Sequence, residues 1–100
     1  MIVEIIVREQ EDDLYLFDVI VNNSTTITVV SYIKIEGQVL YMSKVDVGGS
    51  GALALGGLFV RKIVKYFGIY FMTKFVVLEG GKRTTGRQKG KMPSLLKVKV

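Results

Sequence analysis

The stretch Thr26–Val47, TITVVSYIKIEGQVLYMSKVDV, decides the fold. Its first half places Ile27, Val29, Ser31, Ile33 and Ile35 at odd positions and Thr26, Thr28, Val30, Tyr32 and Lys34 at even ones. Successive side chains of a strand point to opposite faces, so this is a strand with one apolar and one more polar face. Glu36-Gly37 turns the chain. Beyond it Val39, Tyr41, Val45 and Val47 alternate against Gln38, Lys44 and Asp46. Two period-2 runs about a short glycine-containing turn predict a β-hairpin with one buried face.

Toward the N-terminus, Leu14–Val21 (LYLFDVIV) reads as another strand, interrupted on one face by Asp18 and closed by the turn-forming Asn22-Asn23-Ser24. Residues 2–8 (IVEIIVR) are β-branched and apolar on both faces, which predicts a well-covered strand, with Glu9–Asp13 as its turn. Toward the C-terminus, Gly48-Gly49-Ser50-Gly51 ends the hairpin and the period changes. Ala52, Leu55, Phe59, Ile63 and Phe67 recur every three to four residues, with Arg61, Lys62 and Lys65 on another side. This predicts an amphipathic helix of about four turns, stopped by Gly68.

Ile69–Leu78 reads as a long strand ended by Glu79-Gly80-Gly81. Residues 80–94 (GGKRTTGRQKGKMPS) form a loop without hydrophobic periodicity. Leu95–Val100 reads as a last strand at an edge, where Lys97 and Lys99 discourage unwanted pairing. The expected fold is α+β, in one domain over residues 1–100. A mainly antiparallel, curved sheet in the order β-β-β-β-α-β-β packs in two layers on one amphipathic helix.

Composition narrows the chemistry. The chain has 100 residues, which fits one domain, and contains neither Cys nor His. Disulfides, thiolate zinc sites and Ser–His or Cys–His nucleophile pairs are thereby excluded. Met1–Val7 lacks the pattern of a signal peptide. The charge-free run from Val47 to Val60 is too short to cross a bilayer and is followed at once by Arg61 and Lys62. A cytoplasmic protein without a membrane partner is expected.

Charge is divided along the chain. Residues 1–50 carry three Lys or Arg against eight Asp or Glu, whereas residues 51–100 carry eleven against Glu79 alone, for a net charge of +5. Such asymmetry points to a polyanionic partner. The loop packs Lys82, Arg83, Arg87, Lys89 and Lys91 into ten residues without a carboxylate. Its glycines permit close approach to phosphate, Thr84 and Thr85 can donate hydroxyl hydrogens, and arginine can grip phosphate bidentately. Five such contacts correspond to a log–log salt slope of about −4 to −5 on duplex DNA. Tyr32, on the polar face of its strand beside Lys34, is a candidate for stacking on a base.

Other constellations are less specific. Residues 49–54 match GxGxxA between a strand and a helix, the outline of a dinucleotide-binding turn, but Glu79 comes later than the usual acidic residue. Glu9, Glu11, Asp12 and Asp13 match no calcium loop. Asp18, Asp46 and Glu79 could be imagined as a metal-dependent nuclease set. In element order, residues 29–78, a long hairpin, a helix ending RKIVKYFG and another strand, resemble a half-repeat of the TATA-binding-protein fold. That resemblance implies a helix backing a curved sheet that grips nucleic acid. Single-strand-binding sheets of the Whirly kind are similar in having four strands followed by a helix.

The leading expectation is a non-catalytic nucleic-acid-binding protein, DNA or RNA, contacting the phosphate backbone without strong sequence specificity. The residues that carry it are Lys82, Arg83, Thr84, Thr85, Arg87, Lys89 and Lys91, supported by Arg61, Lys62, Lys65 and Tyr32. No cofactor or metal is expected. The alternatives are an assembly protein forming a homo-oligomer, by default a dimer, and a metal-dependent nuclease.

Overall fold

The computed structural model describes residues 2–48, 57–80 and 95–100. Within them lie six strands and one helix: β1 (Val3–Glu11), β2 (Leu14–Val21), β3 (Thr25–Glu36), β4 (Val39–Gly48), α1 (Gly57–Tyr70), β5 (Phe75–Gly80) and β6 (Leu95–Lys99). They form one open sheet in the order β1-β2-β3-β4-β5-β6. Every neighbouring pair is antiparallel except β4 and β5. That parallel pair, joined through α1, makes β4–α1–β5 a βαβ unit. The GxGxxA match at residues 49–54 falls in its connection, outside the described residues.

The turns follow local chemistry. Gly37, the first of two residues between the paired Glu36 and Val39, takes φ +59, which tight hairpin turns require and glycine supplies freely. Asn22 and Asn23 also occupy the left-handed region, which asparagine tolerates better than most residues. Asn22 accepts a hydrogen bond from the Ile2 amide on its Oδ1 and donates its own amide to the Ile2 carbonyl, fixing the start of β1.

One face of the sheet packs on α1. Phe17, Val19 and Val21 of β2, Ile27, Val29 and Ile33 of β3, Leu40 and Met42 of β4, Val76 of β5 and Val98 of β6 are buried there with Ile63, Val64 and Phe67 of the helix. Each such side chain contributes about 1.5–3 kcal/mol over leaving it in water. Phe17 meets Phe67 edge-on at 5.0 Å and stacks on Tyr15 at 5.5 Å. The helix lies nearest to β5, β1 and β6, which include both edges of the sheet. Strand spacing puts those edges about 24 Å apart in a flat sheet. The sheet therefore curls toward the helix at its edges, and the large side chains of its central strands fill the space between. Its other face bulges outward, so this sheet lacks the concave grip that the TATA-binding-protein resemblance implies.

Three expectations are corrected. Gly68 does not stop the helix; it lies within it, buried where α1 presses on the sheet. A Cβ there would collide with the Val100 side chain and come within 2.9 Å of Val76 Cγ2, so close approach is what selects glycine. The helix instead ends in a Schellman motif. Met72 takes φ +56, its amide donates to the Ile69 carbonyl (3.0 Å), and the Thr73 amide donates to the Gly68 carbonyl (2.8 Å). Consequently Ile69–Lys74 is helix end and turn, and β5 begins only at Phe75. Nor is β1 covered on both faces: it is an edge strand, with Ile2 and Ile6 exposed.

Candidate nucleic-acid interface

Among the described residues, no element packs on the face opposite α1. Cross-strand registers place Glu11, Leu14, Tyr32 and Ser43 in one row across it. Lys34, Tyr41, Val77 and Lys97 form the next row, and Glu36, Val39, Phe75 and Lys99 the one after. Leu16, Val30 and Asp46 lie on the other side of the first row.

A β-bulge sets this composition. Val30 pairs with Asp46 but Tyr32 pairs with Ser43, so β4 carries one extra residue, and Lys44 at the bulge takes φ +52. The buried residues of β4 are accordingly Leu40 and Met42 before the bulge, with Val45 against the core after it. Tyr41 faces outward, contrary to the simple alternation that groups it with Val45 and Val47. Buried Ser31 accompanies the bulge: its Oγ donates to the Tyr32 carbonyl at 2.9 Å and reaches the Ser43 carbonyl at 3.4 Å.

Tyr32, Tyr41 and Phe75 thus lie on one diagonal, each one strand over and one pair along from the last. They are 41%, 37% and 43% exposed. Diagonal neighbours of this kind stand about 7–8 Å apart. A lysine accompanies each aromatic. Lys44 Nζ lies 5.6 Å from the centroid of the Tyr32 ring, Lys34 is the cross-strand partner of Tyr41, and Lys99 that of Phe75. Lys97 sits between, opposite Val77. The hydrogen bond and charge of Glu36, 2.8 Å from Lys34 Nζ, hold the Lys34 pKa above its ordinary value.

Acidic residues occur along the whole face, with Glu36, Asp46 and Glu79 on β3, β4 and β5 among these lysines and further carboxylates at the other end. Glu4, Glu9, Glu11 and Asp18 belong to β1 and β2, where Arg8 Nε lies 3.4 Å from Asp18 Oδ2. This ion pair accounts for the carboxylate in an otherwise apolar strand. Among the described residues no group of three or more carboxylates is placed to hold a metal ion, so Asp18, Asp46 and Glu79 do not converge.

Of the residues expected from sequence, Tyr32 is on this face. Arg61, Lys62 and Lys65 are exposed on α1, with the sheet between them and Tyr32. Lys82, Arg83, Thr84, Thr85, Arg87, Lys89 and Lys91 lie outside the described residues, flanked by Gly80 of β5 and Leu95 of β6. Sequence reasoning missed Tyr41, Lys44, Phe75, Lys97 and Lys99 as one surface. The gap of three from Met42 to Val45 is the signal that reveals the bulge, and with it Tyr41. No protein-family model matches the chain, and no match emerges among curated proteins or solved structures.

Proposed function

We propose that this is a small, non-catalytic nucleic-acid-binding protein that contacts the phosphate backbone through lysines and arginines. The observation that supports this reading best is the set of lysines around exposed aromatics on the sheet face opposite α1. Lys34, Lys44, Lys97 and Lys99 lie there on β3–β6 together with Glu36, Asp46 and Glu79, while Glu4, Glu9, Glu11 and Asp18 lie on β1 and β2. Lysines so placed attract a polyanion, and the carboxylates of β1 and β2 repel it. The loop cations Lys82, Arg83, Arg87, Lys89 and Lys91 belong to the connection between β5 and β6, the latter carrying Lys97 and Lys99, and would add phosphate contacts to these. Fluorescence anisotropy with unrelated oligonucleotide sequences over a range of salt tests the reading. Comparable affinities that fall steeply with salt support it, and absence of binding at low salt refutes it.

A second reading is self-association. Among the described residues the sheet ends in two strands of opposite net charge, β1 with Glu4, Arg8, Glu9 and Glu11 and β6 with Lys97 and Lys99. Strand pairing between copies would bring these charges together. Light scattering without nucleic acid distinguishes it: an oligomer that salt dissociates favours assembly, and a salt-independent monomer excludes it.

A further inference from the structure

Resting on the nucleic-acid reading, we propose that the sheet face opposite α1 is a stacking platform for single strands, with Tyr32, Tyr41 and Phe75 each taking one base. A stacking platform needs exposed rings spaced along a path and cations positioned for the phosphates between them. The diagonal supplies both. None of the three rings belongs to the aromatic cluster on the helix side, in which Tyr15, Phe17, Phe67, Tyr70 and Phe71 pack on one another. Each retains more than a third of its surface in water. Lys44, Lys34 and Lys99 stand beside the first, second and third ring respectively, and Lys97 lies in the row of the second ring, opposite Val77.

The alternation of ring and ammonium suits an unstacked strand whose bases turn toward the protein. A duplex keeps its bases inside, so it could use the lysines but not the rings. Carboxylates stand near both ends of the path, Asp46 one pair along from the row of Tyr32 and Glu36 across Val39 from Phe75. The strand follows the diagonal of rings from β3 to β5 and on toward the lysines of β6. The platform assigns no side chain to base edges, so the expected preference is for single strands of any sequence, and DNA and RNA arms of the test report on the sugar.

The test compares binding of single-stranded DNA, single-stranded RNA and duplex DNA of about 12 nucleotides by the wild-type chain and by Tyr32→Ala, Tyr41→Ala and Phe75→Ala. Circular dichroism checks that each variant is folded, which the exposure of all three side chains favours. The expected result is tighter binding of single strands than of duplex, weakened about 5- to 100-fold by each alanine at unchanged salt slope. Tyr32→Phe and Tyr41→Phe should bind as wild type, because the ring and not the hydroxyl is used. Binding indifferent to the three alanines, or a preference for duplex, overturns the platform while leaving the nucleic-acid reading intact. Failure of the wild type to bind any of the three probes overturns both. Concentration-dependent dimerisation abolished by the same alanines would show that a second copy of the chain occupies the face, and would also overturn the platform.

Discussion

The ammonium of Lys44 stands 5.6 Å from the centre of the Tyr32 ring, and the same bulge that puts it there turns Tyr41 to the outer face. One extra residue in β4 therefore brings Tyr41 and Lys44 to the outer face beside Tyr32. Its backbone is held in the left-handed region at a residue with a Cβ, an unfavourable conformation that the surrounding sheet must maintain.

Lys44→Gly should separate the structural and functional roles of this position. Glycine adopts φ +52 without the Cβ penalty, so the variant should gain about 0.5–1 kcal/mol in stability. It also removes a cation from the face, so affinity for nucleic acid should fall and the salt slope should flatten by about one. Denaturant melts alongside salt-dependent anisotropy read both effects. A variant that is less stable and binds unchanged would contradict the role given to the bulge.

At Gly68, packing outweighs helix propensity. Alanine is the better helix former by about 1 kcal/mol, yet Gly68→Ala should destabilise by about 1–3 kcal/mol, because its methyl meets Val100 and Val76. Val100 is 37% exposed, so Val100→Ala alone should cost little and should recover part of the loss in the double variant. Additive effects in that thermodynamic cycle would rule out the contact as the cause.

Met72 is 92% exposed at the left-handed position of the helix cap. Met72→Gly should raise stability by about 0.5–1 kcal/mol, while Thr73→Val, which loses the 3.1 Å hydrogen bond from Thr73 Oγ1 to the Gly68 carbonyl, should lower it by about 1 kcal/mol. Thermal melts of the two variants should therefore move in opposite directions; movement in the same direction would be inconsistent with the Schellman cap.

The helix cations offer a control for geometry. Arg61, Lys62 and Lys65 are separated from Tyr32 by the sheet, so neutralising all three should leave the effect of Tyr32→Ala on binding unchanged. The two sets of substitutions should be additive in a double-variant cycle. Strong coupling between them would mean that one bound strand touches both surfaces.

Much of this fold was legible in the sequence, and the limits have physical causes. Strict alternation from Thr26 to Ile33 gave β3 and its buried face because no irregularity interrupts it. In β4 simple alternation is out of phase up to Tyr41 and in phase from Val45, since a bulge changes parity and only the spacing of Leu40, Met42 and Val45 records it. Gly68 looked like a helix stop because chain reversal and close approach both select glycine, and only tertiary packing distinguishes them. Of the residues on the candidate face, Tyr32 alone is singled out by local sequence pattern. Tyr41 joins it through the bulge in the β3–β4 hairpin, and Phe75, Lys97 and Lys99 through the parallel β4–β5 pair, a long-range contact that no local pattern encodes.

The central claim is most directly tested by an amide chemical-shift titration of the chain with a short single-stranded oligonucleotide at low salt. The account predicts that the largest shifts among the described residues fall on Tyr32, Lys34, Tyr41, Lys44, Phe75, Lys97 and Lys99, with the exposed side of α1 little changed. Shifts confined to α1, or none at saturating oligonucleotide, would contradict it.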